Sequence, residues 1–408
     1  MSRITRPYAG RISRRELLAL GLAAAGATVC IPAFAPAAPR VPARRRGLAQ
    51  IGALGAPDGN GVRLPPGFRS RIVARSGSAP VANRDFVWHD APDGGATFPC
   101  AEDGGWIYVS NSEVAHDAGG ASALRFAADG TLVDAYPILR GTNINCAGGP
   151  TPWGTWLSCE EHPAGLVWEC DPFGKRAARS WPLLGAFTHE AVAVDPRTLR
   201  MYLTEDLPDG CWYRFTPGGL NGSGRADLTR GVLEAAEVSP GAAGEVRWHA
   251  IPDPSGARVP TRRQVPATTP FRGGEGCWYA NGMVYFTTKH DNKVWAYDVE
   301  NERVRVIYDA TQIADPVLEG VDNVTTAAGG EVLVAEDHGD MQIVALSPDG
   351  RATPIVQVVG QDASEIAGPA FDPAYTRLYF SSQRGVGGRN GDGITFEVSG
   401  PFAGEPQR

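Results

Sequence analysis

Short apolar strands separated by Gly, Pro or Asn turns recur along this chain at a spacing of roughly 40 to 50 residues. Met201-Tyr202-Leu203-Thr204-Glu205-Asp206 leads to Cys211-Trp212-Tyr213-Arg214-Phe215-Thr216-Pro217. Met283-Val284-Tyr285-Phe286-Thr287-Thr288 leads in the same way to Lys293-Val294-Trp295-Ala296-Tyr297-Asp298, and six such units are visible between Trp106 and Val398. Apolar residues alternate with period two, and no stretch keeps a helical period for long. Such units bury their sheets against one another, which leaves only short, protected edges. The expectation is an all-β fold, a six-bladed β-propeller with insertions, forming a single domain over residues 44–408. A β-sandwich would not explain the repeat. The stretch 220–270 breaks the spacing and is expected to carry strands of its own or a lid. Val62 to Ala74 reads as the first packed strand.

Composition supports turns over helices: Gly 51 and Pro 33 are high and Met 4 is low. The formal net charge of -7 argues against a nucleic-acid partner and suits a protein whose clustered acids are neutralised by bound cations. Seven cysteines without a CxxC pair argue against a disulfide scaffold and a structural zinc site. Cys159 with Cys170, and Cys211 with Cys277, are the bridges left open. Residues 1–43 read as a targeting leader and linker. Ser13-Arg14-Arg15-Glu16-Leu17-Leu18 starts an Ala/Gly-rich apolar run, the pattern of a twin-arginine (Tat) export signal. That run is too short to span a bilayer, so no stable membrane span is expected. The expected location is periplasmic or secreted, the Tat machinery is an expected partner, and the folded protein is expected to be a monomer.

The strongest chemical signal is Asn145-Cys146-Ala147-Gly148-Gly149-Pro150-Thr151-Pro152-Trp153-Gly154-Thr155-Trp156-Leu157-Ser158-Cys159-Glu160-Glu161. A thiol opens it, two carboxylates close it, and a turn between them would fold the two ends together. Other units open with Thr188-His189-Glu190, Gly273-Gly274-Glu275, Leu318-Glu319-Gly320-Val321-Asp322 and Ser364-Glu365. The first strand of each blade lines the central channel, so these residues would converge at its mouth. Carboxylates so crowded need compensating cations. Oxygen ligands suit calcium, and one thiol among them suits a transition metal such as iron.

These residues resemble the PhoX-type alkaline phosphatases. The run from Asn145 to Glu161 is the most specific part of the likeness, supported by Thr188-His189-Glu190-Ala191, Tyr202-Leu203-Thr204-Glu205-Asp206 and Gly273-Gly274-Glu275-Gly276. The resemblance implies a six-bladed propeller that hydrolyses phosphate monoesters, small-molecule phosphoesters, with ferric iron (Fe3+) and calcium (Ca2+) at the channel mouth. It implies Cys146, beside Asn145, as an iron ligand and Glu190 and Glu275 as metal-binding and catalytic carboxylates. Either Glu160 or Glu161 would be a further ligand, and Glu319 and Asp322 fall near a calcium position. Arg272 would clamp the phosphate, although it sits one residue out from the family's arginine. No Ser/His/Asp arrangement or GxSxG elbow competes with this chemistry. Two other readings stay open: a calcium-dependent propeller lactonase or esterase, and a non-catalytic propeller that binds metal or a partner.

Overall fold

The computed structural model describes residues 47–48, 51–82, 85–239 and 244–402. The leader and linker expected over 1–43 lie outside these residues. The described chain folds as six antiparallel sheets arranged as propeller blades. Blade one comprises Pro92–Pro99, Trp106–Ser112, Gly119–Phe126 and Leu132–Thr142. Blade two comprises Asn145–Pro150, Trp156–Glu160, Val167–Cys170 and Arg179–Ser180. Blade three comprises His189–Val194, Met201–Glu205, Trp212–Pro217, Gly231–Val238 and Val246–Ala250. Blade four comprises Gly274–Ala280, Met283–Thr288, Lys293–Asp298 and Arg303–Asp309. Blade five comprises Val321–Thr326, Val332–Glu336, Gln342–Leu346 and Ala352–Val358, with Val62–Arg63 on its outer edge. Blade six comprises Ile366–Phe371, Arg377–Ser382 and Ile394–Ser399, and Arg69–Arg75 completes it.

The inner strands touch in the order one to six and back to one, so the ring is closed. Closure joins the two ends of the chain, because Arg69–Arg75 pairs with the last strand, Ile394–Ser399. The single strand expected over 62–74 is two strands on two different blades. Pro65, Pro66 and Gly67 break it, since proline cannot donate to a ladder. The stretch 220–270 supplies the fourth and fifth strands of blade three. It also returns Arg262 to Glu205.

Aromatic side chains on alternate positions fill the space between blades. Trp212 of blade three stacks on Phe286 of blade four at 4.5 Å between centroids. Tyr108 of blade one stacks on Tyr379 of blade six at 5.1 Å across the closing interface. Each buried ring contributes about 2–3 kcal/mol through lost contact with water. Cys100, Cys146, Cys159, Cys170, Cys211 and Cys277 are buried and free, so neither bridge left open by the sequence forms.

Candidate metal centre

The end of the propeller at which the inner strands begin is termed the mouth. Near the mouth the inner strands of blades one to five share one irregularity. In each, two residues bulge out of register with the second strand: Asp93-Gly94, Cys146-Ala147, Glu190-Ala191, Glu275-Gly276 and Asp322-Asn323. A bulge re-aims a side chain that a regular strand would send across the sheet. Here it places one ligand-type residue from each of five blades in one inner ring. Blade six has Ala367 at this position, and its neighbour Glu365 supplies a carboxylate instead. In blades one to four the second bulged residue is Gly or Ala, because the next blade is close. A Cβ on Gly276 would stand 2.6 Å from the Val324 nitrogen, and one on Gly94 would collide with Ala147.

Side chains from the preceding blade hold the bulges. Asn111 donates to the Cys146 and Ala147 carbonyls at 3.2 and 2.7 Å. The Thr204 hydroxyl donates to the Glu275 carbonyl at 2.5 Å, and the Thr287 hydroxyl to the Asp322 carbonyl at 2.6 Å. These three residues occupy one repeat position on the second strand, one step in from the residue that faces the start of the inner strand.

A second, outer ring comes from the residue just after that facing residue. It consists of Glu113, Glu161, Asp206, Lys289, Asp337 and Gln383 for blades one to six. Together the rings and Glu365 create three sets whose ligand atoms all lie within 4.8 Å of one another: Cys146 with Glu161 and Glu190; Glu190 with Glu275 and Asp322; Asp93 with Glu113 and Glu365. The second-strand ends explain which acid of each pair reaches the ring. Glu160, Glu205 and Glu336 accept the backbone N–H six residues ahead, from Leu166, Cys211 and Gln342 at 3.1, 3.0 and 2.8 Å. Each thereby pins its own hairpin, and the following acid is free to turn to the axis.

Glu190 is 0% exposed, and neither of its carboxylate oxygens has a hydrogen-bond partner among the described residues. A buried, unpaired carboxylate is costly unless it is protonated or meets a cation. Burial, and then the Glu275, Glu161 and Asp322 carboxylates, push its pKa well up. Burial and the carboxylates of Asp93 and Glu190 likewise raise the Cys146 thiol, which lies 3.5 Å from Asp93 Oδ2. Burial, with Asp337 and Glu113 opposing the charge, pushes Asp322 up to about 8. An acid-rich ring with one thiol and a buried carboxylate left without a partner among the described residues fits multivalent cations: oxygen for hard ions, sulfur for a transition ion.

Two cations of the chain enter the site from opposite sides. Lys289 Nζ lies 2.6 Å from Glu275 Oε1 and 3.0 Å from Asp206 Oδ2. Burial alone would lower its pKa, but those carboxylates outweigh burial and hold it charged. Arg384 lies 2.8 Å from Glu365 and 3.3 Å from Glu113, while Gln383 donates to Asp93 and Glu113 at 2.5 and 2.7 Å. His189 is neutral, because burial lowers its pKa to about 3, and its Nε2 lies 3.0 Å from the Gly185 carbonyl. Beyond the ring, the channel narrows to a cavity of about 20 Å³ lined by Gly148, Gly276 and Trp278. That volume is too small for an organic molecule, which favours approach to the rings from the mouth.

Of the residues singled out in the sequence, Cys146, Glu161, Glu190, Glu275 and Asp322 converge. Asn145 does not join them: its side chain accepts from Thr142 and donates to Ser158. Glu160 is committed to Asn143, Leu166 and Trp168. Glu319 points to solvent, and only its backbone N–H is engaged, with Glu336. Arg272 is exposed on the residue before Gly273, without a side-chain partner among the described residues. Asp93, Glu113, Lys289 and Arg384 were missed. Asp93 carried a usable signal, since Asp93-Gly94 repeats the acid-then-small pattern of Glu275-Gly276 and Glu190-Ala191.

The sequence model of the alkaline phosphatase PhoX family matches residues 108–165 and 162–312, which include Glu113, Cys146, Glu161, Glu190, Asp206, Glu275 and Lys289 of the two rings. The chain belongs to that family. Among solved structures, PhoX of Pseudomonas fluorescens in complex with vanadate, a transition state analogue, superimposes with a TM-score of 0.69 at 14% identity, over 87% of this chain and 99% of that one. A protein of unknown function from Bacteroides thetaiotaomicron gives 0.51 at 10% identity, over 81% and 76%. A gluconolactonase from Xanthomonas campestris gives 0.46 at 14%, over 90% and 99%. At these identities the likeness is one of fold. No curated protein matches the sequence.

Proposed function

We propose that this member of the PhoX family is an exported phosphatase that hydrolyses phosphate monoesters, with iron and calcium held by the two rings. The observation that carries the reading is Glu190, wholly buried with both oxygens unpartnered in a ring of like charges. Cys146, Glu161 and Glu190 form the set suited to iron, and the two all-carboxylate sets suit calcium. Bound cations would supply the positive charge that stabilises a phosphoryl group during displacement.

The chain's own residues do the rest. Arg384 and Lys289 offer N–H donors to phosphoryl oxygens from two sides, and Glu113, Glu365 and Asp206 hold them in place. The guanidinium can grip two oxygens at once, which orients the phosphoryl group and stabilises the charge spread over its oxygens in the transition state. Arg272, free at the rim, would meet the anion on its way in. Among the described residues no helix is long and apolar enough to cross a membrane. Export rests on the twin-arginine pattern at Arg14-Arg15.

Elemental analysis of purified protein, run with a phosphomonoester assay, tests this reading. Iron and calcium together with turnover support it; calcium alone with turnover of lactones only would overturn it. Cys146→Ala is expected to lose visible absorbance from iron while keeping calcium, and an unchanged spectrum would remove the thiol from the ligand set.

A further inference from the structure

A second concave site lies at the other end of the propeller. A cleft of about 240 Å³ opens between blades two and three. Its walls come from the turn between the inner and second strands of blade two, the end of that blade's third strand, and residues 221–226 after the third strand of blade three. All three segments lie where strands that leave the mouth finish, so the cleft is remote from the acidic rings.

Its chemistry is the reverse of theirs. Glu169 spends its carboxylate on neutral donors: Trp153 Nε1 at 2.7 Å, the Thr155 hydroxyl at 2.8 Å and Trp181 Nε1 at 2.9 Å. Both indoles are therefore locked in place with their polar edges satisfied. Arg179 lies over the Trp181 ring at 4.1 Å. Arg176 pairs with Asp171 at 3.1 Å. Among the described residues, neither Arg179 nor Arg225 has a carboxylate partner. The lining thus holds three guanidiniums against the Asp171 and Glu169 carboxylates, a local excess of positive charge in a cavity walled by two fixed indoles, on a chain whose formal net charge is -7. An adjoining cavity shares Arg176 and adds Arg140 and Lys175, which extends the positive field.

We propose that this cleft is a binding site for a small organic anion carrying a flat ring. Guanidiniums match phosphonate, phosphate or carboxylate oxygens in pairs, and aromatic faces and the stacked Arg179 take the ring. The cavity is below the usual range of drug-sized pockets, so the ligand is one ring with its charged group.

Phenylphosphonate, which phosphatases cannot hydrolyse, is the probe, and methylphosphonate is its ringless control. Calorimetric titration of the full chain is expected to show a binding event weakened by at least about tenfold in the Arg179→Ala/Arg225→Ala double variant. Methylphosphonate should bind the wild type at least about tenfold more weakly at this site, having no ring to stack. Phosphomonoester kinetics in the double variant should match the wild type. Equal affinity in wild type and variant, equal affinity for the two phosphonates, or a fall in hydrolysis in the variant would each overturn the assignment. This proposal rests on the phosphatase reading only in that the mouth should take the same probe: a binding event there is weakened by Arg384→Ala and untouched by the double variant, so failure at the cleft is separable from failure of the phosphatase reading.

Discussion

The inner ring draws on five blades and the outer ring on all six, with carboxylates predominant in both, yet the rings differ in how charge is balanced. In the inner ring Asp93, Cys146, Glu190, Glu275 and Asp322 are buried, and Glu190 meets no cation of the chain. In the outer ring Lys289 replaces an acid, and Arg384 stands beside Gln383. Lys289 reaches Glu275 of the inner ring, but Glu190 is left with no counter-charge among the described residues. The outer ring carries its own cations, ordered by acids and directed at the mouth. On the proposed function, that difference would separate two tasks, holding metal and gripping an anion.

The largest test removes the inner ring's unmatched charge. Glu190→Gln keeps the shape but loses an anionic ligand shared by two of the sets, so metal content and hydrolysis should fall together, hydrolysis by on the order of 10³-fold. Retained metal with retained rate would end the distinction between the rings. Arg384→Ala should spare the metal yet lower kcat/KM by about 10²-fold. Arg272→Ala should cost less than about tenfold and lose its effect at high salt, as an exposed rim charge does. If the two arginine variants exchanged behaviour, the clamp would be at the rim.

Metal removal should invert the response to pH. Asp322 is raised from its ordinary 3.8 to about 8 by burial and neighbouring acids. A raised carboxyl contributes stability that is fully present below pH 3.8 and is lost as pH rises through about 8. Chelated protein should therefore melt lower at pH 9 than at pH 5, and added cations should abolish that drop. A flat profile after chelation would mean that the inner ring is compensated internally. The smallest effect concerns an acid outside both rings. Glu160→Ala leaves three donors without an acceptor and should cost about 2–4 kcal/mol of stability without loss of metal.

Much of the centre was legible as residue type and position. Cys146, Glu190, Glu275 and Asp322 stand at the start of recognisable strands, and a propeller sends strand starts to its axis. The choice between Glu160 and Glu161 was not legible, because it turns on a hydrogen bond to Leu166 that exists only once the hairpin forms. Glu319 seemed placed for a metal on sequence position alone. It sits before Gly320 and outside the bulge that re-aims Asp322, so it faces water. Lys289 and Arg384 were invisible because each is held between an acid of its own blade and one of a neighbour: Lys289 between Glu275 and Asp206 of blade three, and Arg384 between Glu365 and Glu113 of blade one.

The linear chain by itself determined the repeat, the strands within each unit and the kinds of ligand at their starts, because alternation and turn chemistry act over a few neighbouring residues. The tertiary structure alone decided that Arg69–Arg75 closes the ring against Ile394–Ser399, and which acids meet which cations. Those outcomes depend on contacts between residues remote in sequence, and only a closed circle of bulged strands brings such residues within a few ångströms of one axis.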